Sequence, residues 1–269
     1  MAQTHLIVGA GNMGGALLSS WIDASILQPR NVAILDPSPG VDAVYTIERG
    51  AKHLSDSTEI ARTVDTVLLA IKPQLFDGMK AEMAKAVPDG TLVISIMAGV
   101  SSQSLKAAFP DCQTIRAMPN TPVSVGRGMT AYLADEDTDT QTIETVEALF
   151  SASGDVARVV DDGQIDAVTA ISGSGPAYVF HFVEALANAA QSLGIDPDMA
   201  MELARGTLTG AAALLEASEN DAQELRDAVT SPGGTTQAGL DVLMAPDGLT
   251  QLMRATTRAA NRRARELSR

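Results

Sequence analysis

Gly9-Ala10-Gly11-Asn12-Met13-Gly14 follows a short apolar run at 5–8 and precedes a helical pattern over 13–22. Glycines at this spacing between a strand and a helix predict a dinucleotide-binding turn. The first glycine permits the tight turn, the second lets a pyrophosphate approach the backbone, and the third lets the helix pack on the strand. A turn without a ligand is the alternative. The predicted cofactor-binding residues here are Gly9, Gly11, Asn12, Met13 and Gly14, with Asn12 at a phosphate and Met13 in the core.

The first half of the chain alternates between short apolar runs and helical patterns. This alternation predicts a parallel sheet with helices on both of its faces. A helical pattern at 76–87 follows the third of these runs. The predicted strands are 5–8, 32–35, 66–71 and 91–96, with further strands at 113–118, 129–133 and 156–160.

After about residue 162 the strand-like runs end and helical segments rich in Ala, Leu and Met begin. Pro176 suits the first turn of the long helix. The small apolar residues of these segments favour close packing, either within one bundle or with a second copy. We predict an α/β fold with an N-terminal Rossmann-type parallel-sheet domain (1–161) and a C-terminal all-helical dimerisation domain (162–269). The predicted helices of the second domain are 177–193, 199–217, 222–229, 237–244 and 249–267.

The composition indicates a globular protein and argues against a nucleic-acid partner. The chain has 269 residues, of which 45% are hydrophobic, and its mean hydropathy is +0.09. Its 19 basic and 33 acidic residues give a net charge of −14, whereas binding to nucleic acid needs a basic face. Arginines cluster near the C-terminus, where they suit the negative end of a helix dipole or form a docking patch for an acidic subunit.

Neither a disulfide nor a membrane segment is expected. Cys112 is the single cysteine, so no intrachain disulfide can form. The most apolar long stretch, 177–190, contains His181, Glu184 and Asn188, which indicates a buried helix rather than a membrane span. The first residues indicate a strand rather than a signal peptide. We therefore expect a cytoplasmic protein without membrane contact.

Asp36 ends the second predicted strand, about 20 residues after the glycine turn, where an acid that binds a ribose is expected. A carboxylate there accepts a hydrogen bond from the 2′-hydroxyl of NADH and repels the 2′-phosphate of NADPH. No Lys or Arg lies between Asp36 and Glu48 to bind that phosphate. An ordinary turn aspartate before Pro37 is the alternative.

Residues after three further strands are predicted to line the same cofactor site, because such sheets bind ligands at the carboxyl ends of their strands. Lys72 either contacts the cofactor or is a solvated residue at a helix start. Prolines on both sides of the dipeptide Asn120-Thr121 stiffen a loop that suits the floor under a nicotinamide ring. The predicted cofactor-binding residues of this group are Ala70, Lys72, Pro73, Ala98 and Asn120.

Ser231-Pro232-Gly233-Gly234-Thr235-Thr236 lies just before the predicted helix 237–244. Backbone N–H groups at such a helix start suit an anion, for example a substrate carboxylate. Ser172-Gly173-Ser174-Gly175-Pro176 is either only a helix start or a cleft wall beside that loop, with Ser174 as a substrate-binding residue. The three histidines are isolated and no cysteine pair exists, so no metal site is predicted. Hydride transfer fits this absence, because it depends on a cofactor and on orientation.

Together these segments resemble the pyrroline-5-carboxylate reductases over nearly the whole chain. The segment 229–240 is the specific one, whereas the glycine turn alone indicates only a nucleotide enzyme. The motifs that carry the resemblance are Gly9-Ala10-Gly11-Asn12-Met13-Gly14, Lys72-Pro73-Gln74, Met118-Pro119-Asn120-Thr121-Pro122, Ser172-Gly173-Ser174-Gly175-Pro176-Ala177-Tyr178 and Val229-Thr230-Ser231-Pro232-Gly233-Gly234-Thr235-Thr236-Gln237-Ala238-Gly239-Leu240.

The resemblance implies an enzyme that reduces the C=N bond of 1-pyrroline-5-carboxylate to L-proline with NADPH or NADH. It implies an interlocked homodimer formed by the helical domain, and dimers that join into larger rings, commonly decamers. It also implies that Thr236 is the catalytic residue, whose hydroxyl meets the ring nitrogen. The implied substrate-binding residues are Gly233, Gly234, Thr235, Thr236 and, in the preceding loop, Glu219.

The sequence departs from many family members around the cofactor. A small polar residue followed by a basic one after the second strand favours NADPH in those members, and Asp36-Pro37-Ser38 stands in that place here. Ser57 stands where many relatives have an asparagine near the adenosine ribose, and we predict that it binds the cofactor. The predicted cofactor is NADH or NADPH, with NADH favoured because of Asp36.

Two other functions compete with this interpretation. One is an enzyme related to the hydroxyacid and 6-phosphogluconate dehydrogenases, which usually carry a lysine on the helix after the domain junction. The segment 178–193 contains no lysine. The other is a non-catalytic module that senses NAD(H), which would have no need of the loop at 231–236.

Overall fold

The computed structural model describes residues 4–268 and contains an eight-stranded sheet. Its strands are β1 (Thr4–Val8), β2 (Val32–Leu35), β3 (Lys52–Leu54), β4 (Val64–Leu69), β5 (Leu92–Ser95), β6 (Gln113–Met118), β7 (Gly128–Leu133) and β8 (Gly154–Val159). Their order across the sheet is β3-β2-β1-β4-β5-β6-β7-β8. Neighbouring strands run parallel, except that β6 and β7 are antiparallel.

Helices occupy most of the remaining chain. The helices between and after the strands are α1 (Asn12–Asp23), α2 (Val41–Glu48), α3 (Pro73–Ala86), α4 (Ser102–Ala108), α5 (Thr140–Ser151) and α6 (Asp162–Val168). The later helices are α7 (Gly175–Ser192), α8 (Pro197–Ala217), α9 (Ala222–Ala228), α10 (Thr235–Leu243) and α11 (Leu249–Leu267).

Local sequence explains where several helices begin. Pro73 and Pro197 stand in the first turns of α3 and α8, where a missing N–H costs no hydrogen bond. The Asp196 side chain accepts hydrogen bonds from the N–H groups of Asp198 and Met199 and so caps α8.

Alternate side chains of the strands pack into two separate cores, one on each face of the sheet. Ile34 and Leu68 belong to a core cluster with Trp21 of α1. Val67 belongs to a second cluster with Phe76 of α3. Because successive strand residues point to opposite faces, two apolar cores confirm the predicted sheet with helices on both faces.

The predicted parallel sheet contains one antiparallel pair, β6 and β7. β6 and β7 are joined by the loop 119–127, which contains a short 3₁₀ turn, Thr121–Val125. A parallel connection needs a crossover of about a dozen residues or more, usually with a helix. This loop is too short for that, so β7 returns beside β6 in the opposite direction.

The start of the long helix also differs from the expectation. Helical backbone begins with α6 and continues through a π-helical segment, Thr169–Gly173, to α7. Pro176 therefore lies near the start of α7 but after an existing helical run. Its ring nitrogen has no N–H for the carbonyl of Ser172, and that carbonyl accepts a hydrogen bond from the Asn120 side chain at 3.0 Å instead.

The chain divides into two compact units. One contains the residues up to Ser174 together with those from Ala260 onward, and the other is Gly175–Ala259. In the second unit, α7 and α8 pack through a small cluster that includes Val183, Ala187 and Ala204. Large apolar side chains of this unit stay exposed, among them Phe180 (63%) and Leu193 (82%). The domain boundary after residue 161 stays a prediction.

A buried ionic cluster lies within the first unit. The guanidinium of Arg116, on β6, donates hydrogen bonds to Asp162 and Asp166 at the start and in the middle of α6. Ser268 donates to Asp166, and the N–H and hydroxyl of Ser102 donate to Asp162. Burial opposes ionisation of Asp162, but the hydrogen bonds from Ser102 and Arg116 outweigh it and lower the pKa of this carboxyl below its ordinary value.

Candidate functional site

A cavity of about 480 Å³ opens at the carboxyl ends of β1, β2, β3 and β4. Its apolar wall comes from the end of β2 and from α3. Ligands of open α/β sheets bind at this edge. Of the predicted cofactor residues, the cavity brings together Gly9, Gly11, Asp36, Ser57, Ala70 and Lys72.

The three glycines of the turn differ in the space around them. Gly9 has φ of +86°, and a Cβ there would lie 2.8 Å from the backbone of Ala70. A Cβ at Gly14 would lie 2.2 Å from the Gly9 carbonyl oxygen. A Cβ at Gly11 would meet nothing within 4 Å. The turn therefore needs its first and third glycines for folding, whereas the second leaves open space at the cavity, as a pyrophosphate requires.

The start of α1 has the properties of an anion site. Gly11 is the N-cap residue and makes no side-chain capping bond. The first N–H groups of a helix lack acceptors within the helix and carry the positive end of its dipole. Asn12 is exposed at this start, and Met13 is partly buried against the core, as expected. The geometry fits a dinucleotide phosphate.

The Asp36 carboxylate is held by two backbone N–H groups. Its Oδ2 accepts from Ala10 N at 2.6 Å, and its Oδ1 accepts from Ser38 N at 2.8 Å. The side chain thus ties the glycine turn to the loop after β2 while its charge stays at the cavity wall. Both interpretations of Asp36 find support here, because it stabilises its own turn and also lines the cavity.

Ser57 lies in a 3₁₀ turn, Ser57–Glu59, after β3. It is 6% exposed, and its hydroxyl donates a hydrogen bond to the Glu82 carboxylate on α3. Glu82 was not among the residues predicted from the sequence. The α3 side of the cavity could have been predicted from the four-residue spacing of Leu75, Met79 and Met83. This spacing places the three side chains on one face of the helix.

The remaining predicted cofactor residues lie elsewhere in the first unit. Pro73 and Ala98 line a different cavity of about 590 Å³, together with Leu267 and Ser268. The Asn120 side chain is buried, and besides its bond to Ser172 it accepts from the N–H of Met129 at 2.9 Å. Cofactor contacts of Pro73, Ala98 and Asn120 stay predictions.

The predicted substrate loop lies in the second unit. Gly234 is the N-cap of α10, and Gly233 has φ of +71°, a conformation that favours glycine. Thr235 and Thr236, the first residues of the helix, are exposed, and so is Glu219 in the loop before α9. A helix start with uncapped N–H groups beside two hydroxyls can hold a carboxylate.

Ser174 lies at the end of the first unit. Its hydroxyl donates to the Thr169 carbonyl at 3.1 Å, and its N–H donates to the same oxygen at 2.8 Å. Its predicted contact with substrate stays a prediction.

Residues 4–268 contain no group of three or more His, Cys, Asp or Glu side chains arranged to hold a metal ion. Among the helices of that same range, none combines the length and the apolar character that crossing a membrane requires.

The chain is similar to known proteins along its whole length. Residues 162–267 match the family described as pyrroline-5-carboxylate reductase dimerisation, and residues 5–99 match the family described as NADP oxidoreductase coenzyme F420-dependent. The chain is 40% identical to a pyrroline-5-carboxylate reductase of Synechocystis sp. over 262 residues, which are 97% of each chain.

Solved structures give the same result. A pyrroline-5-carboxylate reductase from Coxiella burnetii superposes with a TM-score of 0.91 at 33% identity, covering 100% of both chains. A pyrroline carboxylate reductase from Plasmodium falciparum with NADP bound gives a TM-score of 0.85 at 26% identity, covering 99% of this chain and 98% of that one. With its dinucleotide turn and its helical second domain, this chain belongs to the pyrroline-5-carboxylate reductase family.

Proposed function

We propose that this protein reduces the C=N bond of 1-pyrroline-5-carboxylate to L-proline by hydride transfer from NAD(P)H, in the last step of proline biosynthesis. The observation that carries the proposal is the complete dinucleotide turn, with Gly11 open to the cavity, in a chain of this family. The hydroxyacid dehydrogenase and NAD(H)-sensing alternatives fit this chain less well, because neither explains the loop at 231–236.

The first unit holds the cofactor in this proposal. The first-turn N–H groups of α1 bind the pyrophosphate, and Lys72, at the end of β4, adds a positive charge beside the glycine turn. When bound, NAD(P)H would supply the hydride, so the reaction depends on the cofactor and on orientation more than on a strong acid or base of the protein. We place the dinucleotide-binding domain at 1–161.

The helical domain, placed at 162–269, binds the substrate. The backbone N–H groups of the loop Gly233-Gly234-Thr235-Thr236 hold the carboxylate, and the Thr236 hydroxyl orients the ring nitrogen and relays a proton from water. Glu219 and Ser174 complete the substrate site. A protonated imine is the more electrophilic form, and orientation by these groups supplies most of the rate acceleration.

Charge at the cofactor cavity supports a preference for NADH. Among its lining residues Asp36, Asp56 and Glu82 are acidic, and Lys72 is basic. An added 2′-phosphate carries up to two negative charges and would enter this acidic surface. NADH is therefore a better cofactor than NADPH for this enzyme.

The protein is a homo-oligomer built through its dimerisation domain and acts on a small molecule. The exposed apolar side chains of the second unit support this assembly, because a second copy would cover them. Dimers associate further into a decameric ring, and the enzyme works in the cytoplasm.

A spectrophotometric assay tests the function. Full-length protein should oxidise NADH when 1-pyrroline-5-carboxylate is added and should form proline in equal amount. Without the imine, or with a 2-hydroxy acid and NAD⁺, the absorbance should stay constant. Turnover of the hydroxy acid alone would favour the dehydrogenase alternative, and cofactor binding without any turnover would favour the sensing module.

A further inference from the structure

The cofactor cavity has a second acidic wall besides Asp36. The buried hydroxyl of Ser57 donates a hydrogen bond to Glu82, and this bond joins the turn after β3 to α3. Both residues line the cavity. Carboxylates thus line it from three separate places: Asp36 after β2, Asp56 before the 3₁₀ turn and Glu82 on α3.

The Ser57–Glu82 bond fixes what Ser57 can offer a ligand. A serine hydroxyl has one proton and two lone pairs. Since the proton is donated to Glu82, the Ser57 oxygen presents only lone pairs to any other group in the cavity. It can accept a hydrogen bond from an alcohol but has no donor for a phosphate.

The other charged residues of the cavity have different partners or positions. The Asp56 carboxylate accepts hydrogen bonds from the N–H and the hydroxyl of Thr58, and so it caps the 3₁₀ turn. Lys72 follows β4, whose end lies against the Gly9 turn. Among the lining residues within 4–268, Lys72 is the one cation, and it follows β4 rather than β2 or β3.

We propose that the Ser57–Glu82 pair determines cofactor specificity. The ribose contact of Ser57 is the one that the family resemblance implies; the new element is Glu82, whose carboxylate takes the Ser57 proton and repels a 2′-phosphate at the same place. The inference rests on the proposed function, because it assigns this end of the cavity to the adenosine half of the dinucleotide.

Binding of two nucleotide fragments separates this role from catalysis. Adenosine 5′-monophosphate and adenosine 2′,5′-bisphosphate are titrated calorimetrically into the full-length protein at low ionic strength. In Glu82→Gln the affinity for the bisphosphate should rise about fivefold, while that for the monophosphate changes by less than about twofold. In Ser57→Ala the affinity for the monophosphate should fall about fivefold, as expected for one lost hydrogen bond.

Asp77→Asn is the matched control, because Asp77 is an exposed acid on the same helix that does not line this cavity. It should leave both affinities unchanged. The gain in Glu82→Gln should shrink as salt is added. If both fragments bind but their affinity ratio is the same in Glu82→Gln as in the wild type, the inference is overturned. If neither fragment binds the wild type, the proposed cofactor role of the cavity fails instead.

Discussion

Arg116 Nη2 lies 3.2 Å from Asp166 Oδ1, and the two side chains are only 1% and 7% exposed. The pair joins β6 to α6, and the Ser268 hydroxyl donates to the same carboxylate oxygen at 3.0 Å. A buried guanidinium loses its hydration, and only well-placed carboxylates offset that loss. Removing either Arg116 or Asp166 would therefore leave the charge of the other buried with less compensation.

Replacing Asp166 with Asn should destabilise the protein by about 3 kcal/mol, because it leaves Arg116 with less compensation for its buried charge. Urea unfolding at fixed protomer concentration measures this change. Asp135→Asn is the control. It breaks an exposed ion pair with Lys106, and such pairs contribute less than about 1 kcal/mol. Equal losses in the two variants would contradict the assignment.

Acid should remove the contribution of Asp162. Its pKa is lowered in the folded protein, so its ionised form stabilises the fold above the unfolded-state pKa of about 4, and this stabilisation is lost as the pH falls through the folded-state value. The stability difference between the wild type and Asp162→Asn should thus be constant at neutral pH and narrow below about pH 4. Urea midpoints at a series of pH values test this. A difference that stays constant down to pH 2.5 would be inconsistent with it.

The glycines of the turn should separate folding from binding. Gly14→Ala places a Cβ against the Gly9 carbonyl oxygen and should cost more than about 2 kcal/mol of stability, because backbone has to move. Gly11→Ala has free space and a φ of −74°, so it should cost less than about 1 kcal/mol. It should instead weaken NADH binding at least about tenfold, since the methyl group occupies the place of the pyrophosphate. Thermal unfolding measures the loss of stability, and calorimetric titration with NADH measures the loss of affinity. Full NADH affinity in Gly11→Ala would refute the assignment of Gly11 to the pyrophosphate site.

Thr236→Ala should lower kcat about tenfold or more, because it removes one hydrogen bond at the reacting nitrogen. NADH affinity should stay within about twofold, since Thr236 belongs to the second unit and the glycine turn to the first. Steady-state kinetics and NADH titration measure the two effects. Thr236→Ser should restore activity, and Thr209→Ala, whose hydroxyl binds a carbonyl within α8, should behave as wild type. Wild-type turnover in Thr236→Ala would exclude the catalytic role.

The wild type should have a higher kcat/KM with NADH than with NADPH. At an effective dielectric constant near 20, the Asp36 charge opposes a 2′-phosphate a few ångströms away by roughly 2–4 kcal/mol before screening. Replacing Asp36 with Ser together with Pro37→Arg should narrow or reverse the preference. Asp36→Asn is the companion variant, because it removes the charge while an amide oxygen can still accept from Ala10 N. A tenfold wild-type preference for NADPH would show that Asp36 does not determine the choice.

Much of the fold could be predicted because hydrophobic periodicity is a local property. β2 and β6 match the predicted ranges residue for residue, and so does α11. Elements without a clear apolar run could not be given a range from the sequence. β3 is only Lys52–Leu54, and its structure depends on pairing with β2, which the local pattern does not contain. The direction of β7 likewise follows from a short connection rather than from the composition of the strand.

The site was predictable where motifs are contiguous and less so where distant segments meet. Gly9, Gly11 and Asp36 come together as the spacing indicated. Glu82 was missed because its partner Ser57 is far away in sequence and a glutamate on a helix surface has no special pattern. Arg116 was missed for a similar reason, since nothing in the β6 sequence shows that two carboxylates of α6 will enclose its guanidinium.

The described residues on both sides of the segment Gly175–Ala259 belong to one compact unit, and this has a consequence for the stability of that segment. Gly175–Ala259 is attached at both of its ends to one folded unit. If only that segment unfolds, it forms a closed loop, which has fewer conformations than a free tail of equal length. The entropy gained on local unfolding is smaller, so the segment resists opening more than a terminal domain of the same composition. Cutting the chain just before Ala260 should remove this advantage and release the segment as a free tail.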